Sequence, residues 1–164
     1  MIGPIVFVKH ALPVLDPAKQ PREWQLSEEG RDQSRLLAQR LGRFLPLRLI
    51  ASKEAKTRDT ARIVASELDV SLSVVDGFEE IDRPALPVMT RTEHLRVNEA
   101  IFADPDRPAL GTESARAALD RFSAALRGQL AQTDDQSLVI VTHGTVIALL
   151  VAAHTDMPAF ELWK

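Results

Sequence analysis

The chain has 164 residues, 45% of them hydrophobic and 26% charged, with a net charge of −3 and no cysteine. That length suits a single domain, residues 1–164, able to bury roughly two-thirds of its unfolded surface. The charge gives no support to nucleic-acid or membrane-surface binding, and the lack of cysteine excludes disulfide scaffolds, thiolate zinc sites and cysteine nucleophiles.

Residues 1–8 are apolar but too short for a secretory signal and lack a basic n-region, so a cytoplasmic location is expected. "IVFV" (5–8) is a β-branched run of strand length, suited to a strand covered on both faces. Three prolines in "ALPVLDPAKQPREWQ" make residues 11–25 a loop. A helix then starts after Ser27, a good N-cap, with Glu28 and Glu29 in the first turn where the helix dipole favours anions. Leu36, Leu37, Leu41 and Phe44 form its expected apolar stripe. "LRLIA" (47–51) is a second strand. The next helix, from about Lys53 to Leu68 with Ser52 available as its cap, turns Thr57, Ala61, Val64, Ala65 and Leu68 to one face. "LSVV" (72–75) is a third strand, ended by Asp76-Gly77.

Residues 84–108 contain four prolines around the helical patch "RTEHLRVNEAIF", which reads as an inserted cap over one face. A long helix follows, with Ala115, Ala118, Leu119, Phe122, Leu126 and Leu130 inward. The apolar run 137–153 is interrupted by Thr142, His143, Gly144 and Thr145, so it reads as strand, turn and helix and not as a membrane span. Strands alternating with helices predict an α/β fold: a three-layer α/β/α sandwich around a mostly parallel sheet.

Ligands in such sheets bind beyond the carboxyl ends of the strands. His10 follows the first strand, Ser52 to Lys56 the second, Glu79 and Glu80 the third, and His143-Gly144 the last. The chain has four histidines, so two at strand ends, beside lysines and a carboxylate, form a marked concentration. A neutral imidazole can act as a nucleophile, and a second can donate hydrogen bonds to an anion. Gly144 lies where backbone N–H groups face a bound oxyanion. The histidine spacing matches no metal-ligand pattern.

These motifs resemble the histidine phosphatase superfamily, the phosphoglycerate-mutase-like group. Its opening strand-Arg-His-Gly corresponds to Lys9-His10-Ala11, and "LSEEGRDQS" matches its first-helix motif, with Ser34 in an alanine place. The family's Ser-x-x-x-Arg-Ala motif corresponds to "SKEAKT", with Lys56 in the arginine place and Thr57 in the alanine place. "FEE" carries the acid, "GTES" (111–114) matches Gly-x-Glu-Ser, and "VIVTHGT" is the closing strand-His-Gly. The match runs from residue 5 to about 150 in the family's order and leaves 84–108 uncovered, where substrate selection is expected.

The resemblance implies a metal-independent phosphatase that needs no cofactor and acts on a small phosphorylated substrate. His10 attacks phosphorus, Lys9, Lys56 and His143 hold the phosphoryl oxygens, and Glu80 serves as acid and then base, with Glu79 adjacent as the alternative. Both family arginines are lysines here. An arginine holds phosphate through two parallel N–H bonds, whereas lysine is a compact point charge. Losing one good charge-assisted contact costs on the order of 2–3 kcal/mol, or about 30- to 150-fold in rate. Arg58, Arg62 and Arg83 are candidates for the missing fork, with Arg83 preferred. Asp16 replaces an asparagine found in mutase members and is expected to point away from the phosphate. A non-catalytic phosphate binder on the same scaffold and a phosphomutase are the alternatives, and the oligomeric state is not legible in the sequence. Glu113 and Ser114 read as helix-start groups, His94 and His154 as solvent-facing, with a place for His94 at the pocket border from the cap as the alternative, and Trp24 as packing beside the first helix, with a pocket role as the alternative.

Overall fold

The computed structural model describes residues 3–84, 89–132 and 135–164. Four strands, β1 (Ile5–Lys9), β2 (Leu47–Ala51), β3 (Leu72–Val74) and β4 (Ser137–Thr142), form one sheet in the order β1-β4-β2-β3. Every pairing is parallel. The helices are α1 (Glu28–Leu41), α2 (Ala55–Leu68), α3 (Arg91–Ala103), α4 (Ala115–Leu130), α5 (Gly144–Ala152) and α6 (Ala159–Trp163). No helix among the described residues is long and apolar enough to cross a membrane.

Alternation along β4 divides the core between the two sheet faces. Leu138 and Ile140 point into a cluster with Ala118, Phe122, Val146 and Leu149, under α4 and α5. Val139 and Val141 point the other way, against Ala38, Leu41, Ala61 and Val64 of α1 and α2. This is the expected three-layer α/β/α arrangement. β1 is an edge strand, so Ile5 and Lys9 are exposed and Val6, Phe7 and Val8 only half-buried, yet Phe7 packs on one cluster and Val6 and Val8 on the other.

Helix starts follow local chemistry. The Ser27 hydroxyl accepts from the Gly30 N–H, and the Ser114 hydroxyl accepts from the Ala117 N–H. Thr90 and Glu93 cap α3 reciprocally. Three expectations need correction. Ser52 does not cap α2; the N-cap is Glu54, and the Ser52 side chain is drawn instead to His143 and Thr57. The fully buried stripe of α1 is Gly30, Ser34, Ala38 and Leu41; of the expected stripe Leu41 is in the core and Leu37 and Phe44 pack partly buried against it, whereas Leu36 is 57% exposed. Small residues four apart let α1 approach its neighbours closely, and that approach selects the buried face over side-chain hydrophobicity. The helix α6 was not anticipated. Of the expected insertion at 84–108, residues 85–88 lie outside the described residues, and the rest contains α3.

Candidate active site

Register brings the two histidines together. Lys9 pairs with Thr142 in the β1–β4 ladder, so His10 and His143 leave adjacent strands at the same level. The His10 N–H donates to the Thr142 carbonyl at 2.9 Å, and the two rings lie 5.3 Å apart, edge to face. The Ala11 N–H donates to Thr60 Oγ1 at 3.1 Å, tying the residue after His10 to α2. On the other side, Gly30 is pressed so closely on the loop that a Cβ there would collide with the Leu12 carbonyl.

His10 Nδ1 lies 2.8 Å from the carbonyl oxygen of Ala11. A carbonyl only accepts, so Nδ1 carries the proton and Nε2 presents a bare lone pair. Burial lowers the His10 pKa to about 4, with Lys56 and Lys9 adding to the shift and the Ala11 hydrogen bond opposing it. The ring is therefore neutral at ordinary pH, as a nucleophile must be.

His143 is fully buried. Its Nε2 lies 2.9 Å from Ser52 Oγ and 3.4 Å from Glu54 Oε1. The Thr57 hydroxyl donates to the Glu54 carbonyl at 2.7 Å and lies 2.8 Å from Ser52 Oγ. Passing donors along this chain, and with a carboxylate near Nε2, the proton of His143 is assigned to Nε2. His143 Nδ1 is then an acceptor and has no partner among the described residues. Burial holds this imidazole well below its ordinary pKa, reinforced by Lys56 and opposed by Glu80.

The structure separates the two candidate acids. Glu80 lines the cavity at the sheet's carboxyl edge, and its Oε1 and Oε2 accept from the Ile81 N–H at 3.0 Å and the Thr145 N–H at 3.2 Å. Burial pushes the Glu80 carboxyl up, but Arg83 and the two N–H groups outweigh it, leaving the pKa below the usual value. Glu79 does not line the cavity; it pairs with Lys53 at 3.3 Å and with Arg121 at 3.3 Å.

Of the three arginine candidates, only Arg83 borders the cavity. Its Nη2 donates to Asn98 Oδ1 and to Thr145 Oγ1, both at 2.8 Å, while its Nε is buried without a partner among the described residues. Lys9 is exposed, with its aliphatic stem lying across Gly144. Lys56 is buried; its ammonium donates to the Pro21 carbonyl at 2.7 Å and to Glu54 Oε2 at 2.5 Å, leaving one of its three N–H groups for the cavity. Asp16 does not line the cavity, and its Oδ1 accepts from the Ala18 N–H.

Two functional candidates escaped the sequence reading. Glu54 is a buried carboxylate set among Lys56, His143 and the Glu80 N–H, which it accepts at 2.9 Å. It stands at an unspecified place in the motif "SKEAK", so only its position two residues before Lys56 marked it. Arg121 of α4 donates to both carboxylate oxygens of Glu113 and to the backbone carbonyls of Gly77, Glu79 and Glu80. Glu113 also accepts from the Asp82 N–H, and Gly111, at φ 63°, brings Thr112 onto the Asp82 carboxylate. The "GTES" segment thus braces the loop that carries Glu80 and Arg83. Trp24 and His94 border the cavity, and the His94 ring lies 5.3 Å from that of Trp163. Ser114 caps α4, and His154 is exposed, as expected. Among the described residues no cluster of three or more metal-ligating side chains occurs.

A family model, the histidine phosphatase superfamily (branch 1), matches residues 5–164. No curated protein matches the chain by sequence. A mycobacterial glucosyl-3-phosphoglycerate phosphatase complexed with VO3 superposes with a TM-score of 0.78 at 23% identity, covering 96% of this chain and 84% of that one. A mutant phosphoserine phosphatase from Entamoeba histolytica in complex with phosphoserine gives a TM-score of 0.71 at 19% identity, covering 96% and 82%. At these identities the likeness is one of fold.

Proposed function

The chain belongs to the histidine phosphatase superfamily, and from that premise we propose that it hydrolyses a small phosphomonoester through a phosphohistidine on His10. The observation that carries this reading is the state of His10: neutral, with Nδ1 bound to a carbonyl and Nε2 unprotonated at the mouth of a cationic cleft. In the first step His10 Nε2 forms a bond to phosphorus as the ester P–O bond breaks, and the leaving oxygen takes a proton from protonated Glu80. In the second step water attacks phosphorus, Glu80 takes its proton, the P–N bond breaks, and neutral His10 returns. Lys9, Lys56 and Arg83 neutralise the equatorial oxygens, the main requirement of phosphoryl transfer. Side-chain cations take the part a metal ion plays elsewhere, and the reaction calls for no cofactor. Incubation with p-nitrophenyl phosphate at pH 4–8 should give turnover that His10→Ala abolishes; a rate equal to the His10→Ala background would refute the reading.

One observation favours a second reading, a phosphate-ligand binder with little turnover. The Glu54 carboxylate already holds Lys56 and reaches His143, so an anion must compete with it. Binding of phosphate without chemical modification of His10 would favour this alternative.

A further inference from the structure

The cleft that holds His10 opens into a cavity of about 940 Å³, much larger than a phosphoryl group requires. Its lining carries the reacting groups His10, Lys56, Glu80 and Arg83, and also Arg40 and Arg91. A large part of the remaining wall is apolar and includes Leu12, Pro13, Leu15, Pro17, Trp24 and Leu36. Three of these are exposed to a degree unusual for leucine: Leu12 at 45%, Leu15 at 60% and Leu36 at 57%. Their clustering on one rim, continuous with the reacting centre, is what a site for an apolar group looks like.

Two of the polar side chains on the lining, Gln33 and Trp24, are already occupied, whereas Arg40 and Arg91 bring guanidinium groups to it. Gln33 Oε1 accepts from the Leu12 N–H at 3.1 Å, and its Nε2 donates to Glu29 at 3.1 Å. The Trp24 indole N–H donates to the Asp16 carbonyl at 2.9 Å, so the ring offers its apolar surface to the cavity. A sugar needs acceptors as well as donors to offset the loss of its hydration; the two arginines only donate, and the rest of this wall is mostly apolar among the described residues. A flat or extended apolar group needs none.

We propose, building on the phosphatase reading, that the site takes phosphomonoesters of apolar alcohols, aryl or long alkyl, in preference to sugar phosphates. The phosphoryl group lies at His10 and the apolar part lies along Leu12, Leu15, Trp24 and Leu36.

Equilibrium binding and turnover test the two layers separately. His10→Ala, which cannot form the phosphohistidine, is titrated with 2-naphthyl phosphate and with glucose 6-phosphate, while the wild-type protein is assayed for release of phosphate from both. The naphthyl ester should bind at least about tenfold more tightly, the size expected for burying a ring in an apolar wall, and with a negative heat-capacity change. Leu15→Asn and Leu36→Asn, at positions more than half exposed and tolerant of polar side chains, should bring the ratio toward one. Equal or stronger binding of the sugar phosphate, or no measurable binding of the naphthyl ester, would overturn the proposal even if both esters are hydrolysed. A retained naphthyl preference without turnover would overturn the phosphatase reading and leave the ligand class standing.

Discussion

Lys56 enters the site with a carboxylate partner already in place, and this pairing sets the expected strength of anion binding. Glu54 lies 2.5 Å from the ammonium and is buried with it, so their attraction is poorly screened. A phosphoryl group arriving at Lys56 meets the repulsion of that carboxylate. Glu54→Gln keeps an acceptor for the Glu80 N–H and removes the charge; affinity for inorganic phosphate, measured by calorimetry, should rise about tenfold. Unchanged or weaker affinity would mean that Glu54 serves to hold Lys56 in its binding position. His10 gives a second expectation at this scale. Because its pKa is lowered to about 4, the neutral nucleophilic form persists down to that pH and is lost only as pH falls through it. An NMR titration of the His10 Cε1 proton should inflect near pH 4, and an inflection near the ordinary histidine value would contradict the buried, Ala11-bonded ring. Glu80 shows the opposite tension: Arg83 and two N–H groups favour its carboxylate, the form suited to accepting a proton from water. Donating a proton to a poor leaving group then becomes harder as pH rises.

The loop between β3 and α3 depends on a brace from α4. Arg121 holds the Gly77, Glu79 and Glu80 carbonyls while anchored by Glu113, so it positions Glu80 without lining the cavity. Arg121→Ala should lower stability by about 2–3 kcal/mol in chemical denaturation, as several charged hydrogen bonds go at once. A purely structural role would slow all substrates alike. Positioning of Glu80 predicts a larger loss with alkyl phosphates, which need leaving-group protonation, than with p-nitrophenyl phosphate. Arg121→Lys should recover little, since one ammonium cannot reproduce the fork. At the far end of the site, α6 contributes Trp163 to the cavity and packs Phe160 against Phe102 of α3, with ring centroids 6.2 Å apart. That helix was not legible because five residues after Pro158 show no helical period.

Across the whole molecule, the layer order was legible because apolar runs of strand length alternate with capped, periodic helices, and few topologies satisfy that pattern. The grouping of His10 with His143 followed from the same reasoning, since parallel strands place their carboxyl ends on one edge. Contacts that depend on distance in three dimensions were not legible. Leu36 is more hydrophobic than Ser34, yet Ser34 is buried because close helix packing favours small residues, with its hydroxyl bonded to the Gly30 carbonyl at 2.7 Å. Nothing in the sequence singles out Glu54 between Lys53 and Lys56, and only the fold brings His143 to it. Lys9 and Lys56 bring positive charge to the site, and of the three arginines considered for the phosphate fork only Arg83 borders it, held on one side by Asn98 and Thr145. Whether His10 bonds to phosphorus is the question on which the proposed chemistry turns. The direct measurement is a rapid alkaline quench of the wild-type protein with p-nitrophenyl phosphate, followed by mass spectrometry of the peptide containing His10. A phosphoryl group on His10, absent after reaction of His10→Ala, is the predicted result. Release of p-nitrophenol in a burst, with His10 unmodified throughout, would contradict it.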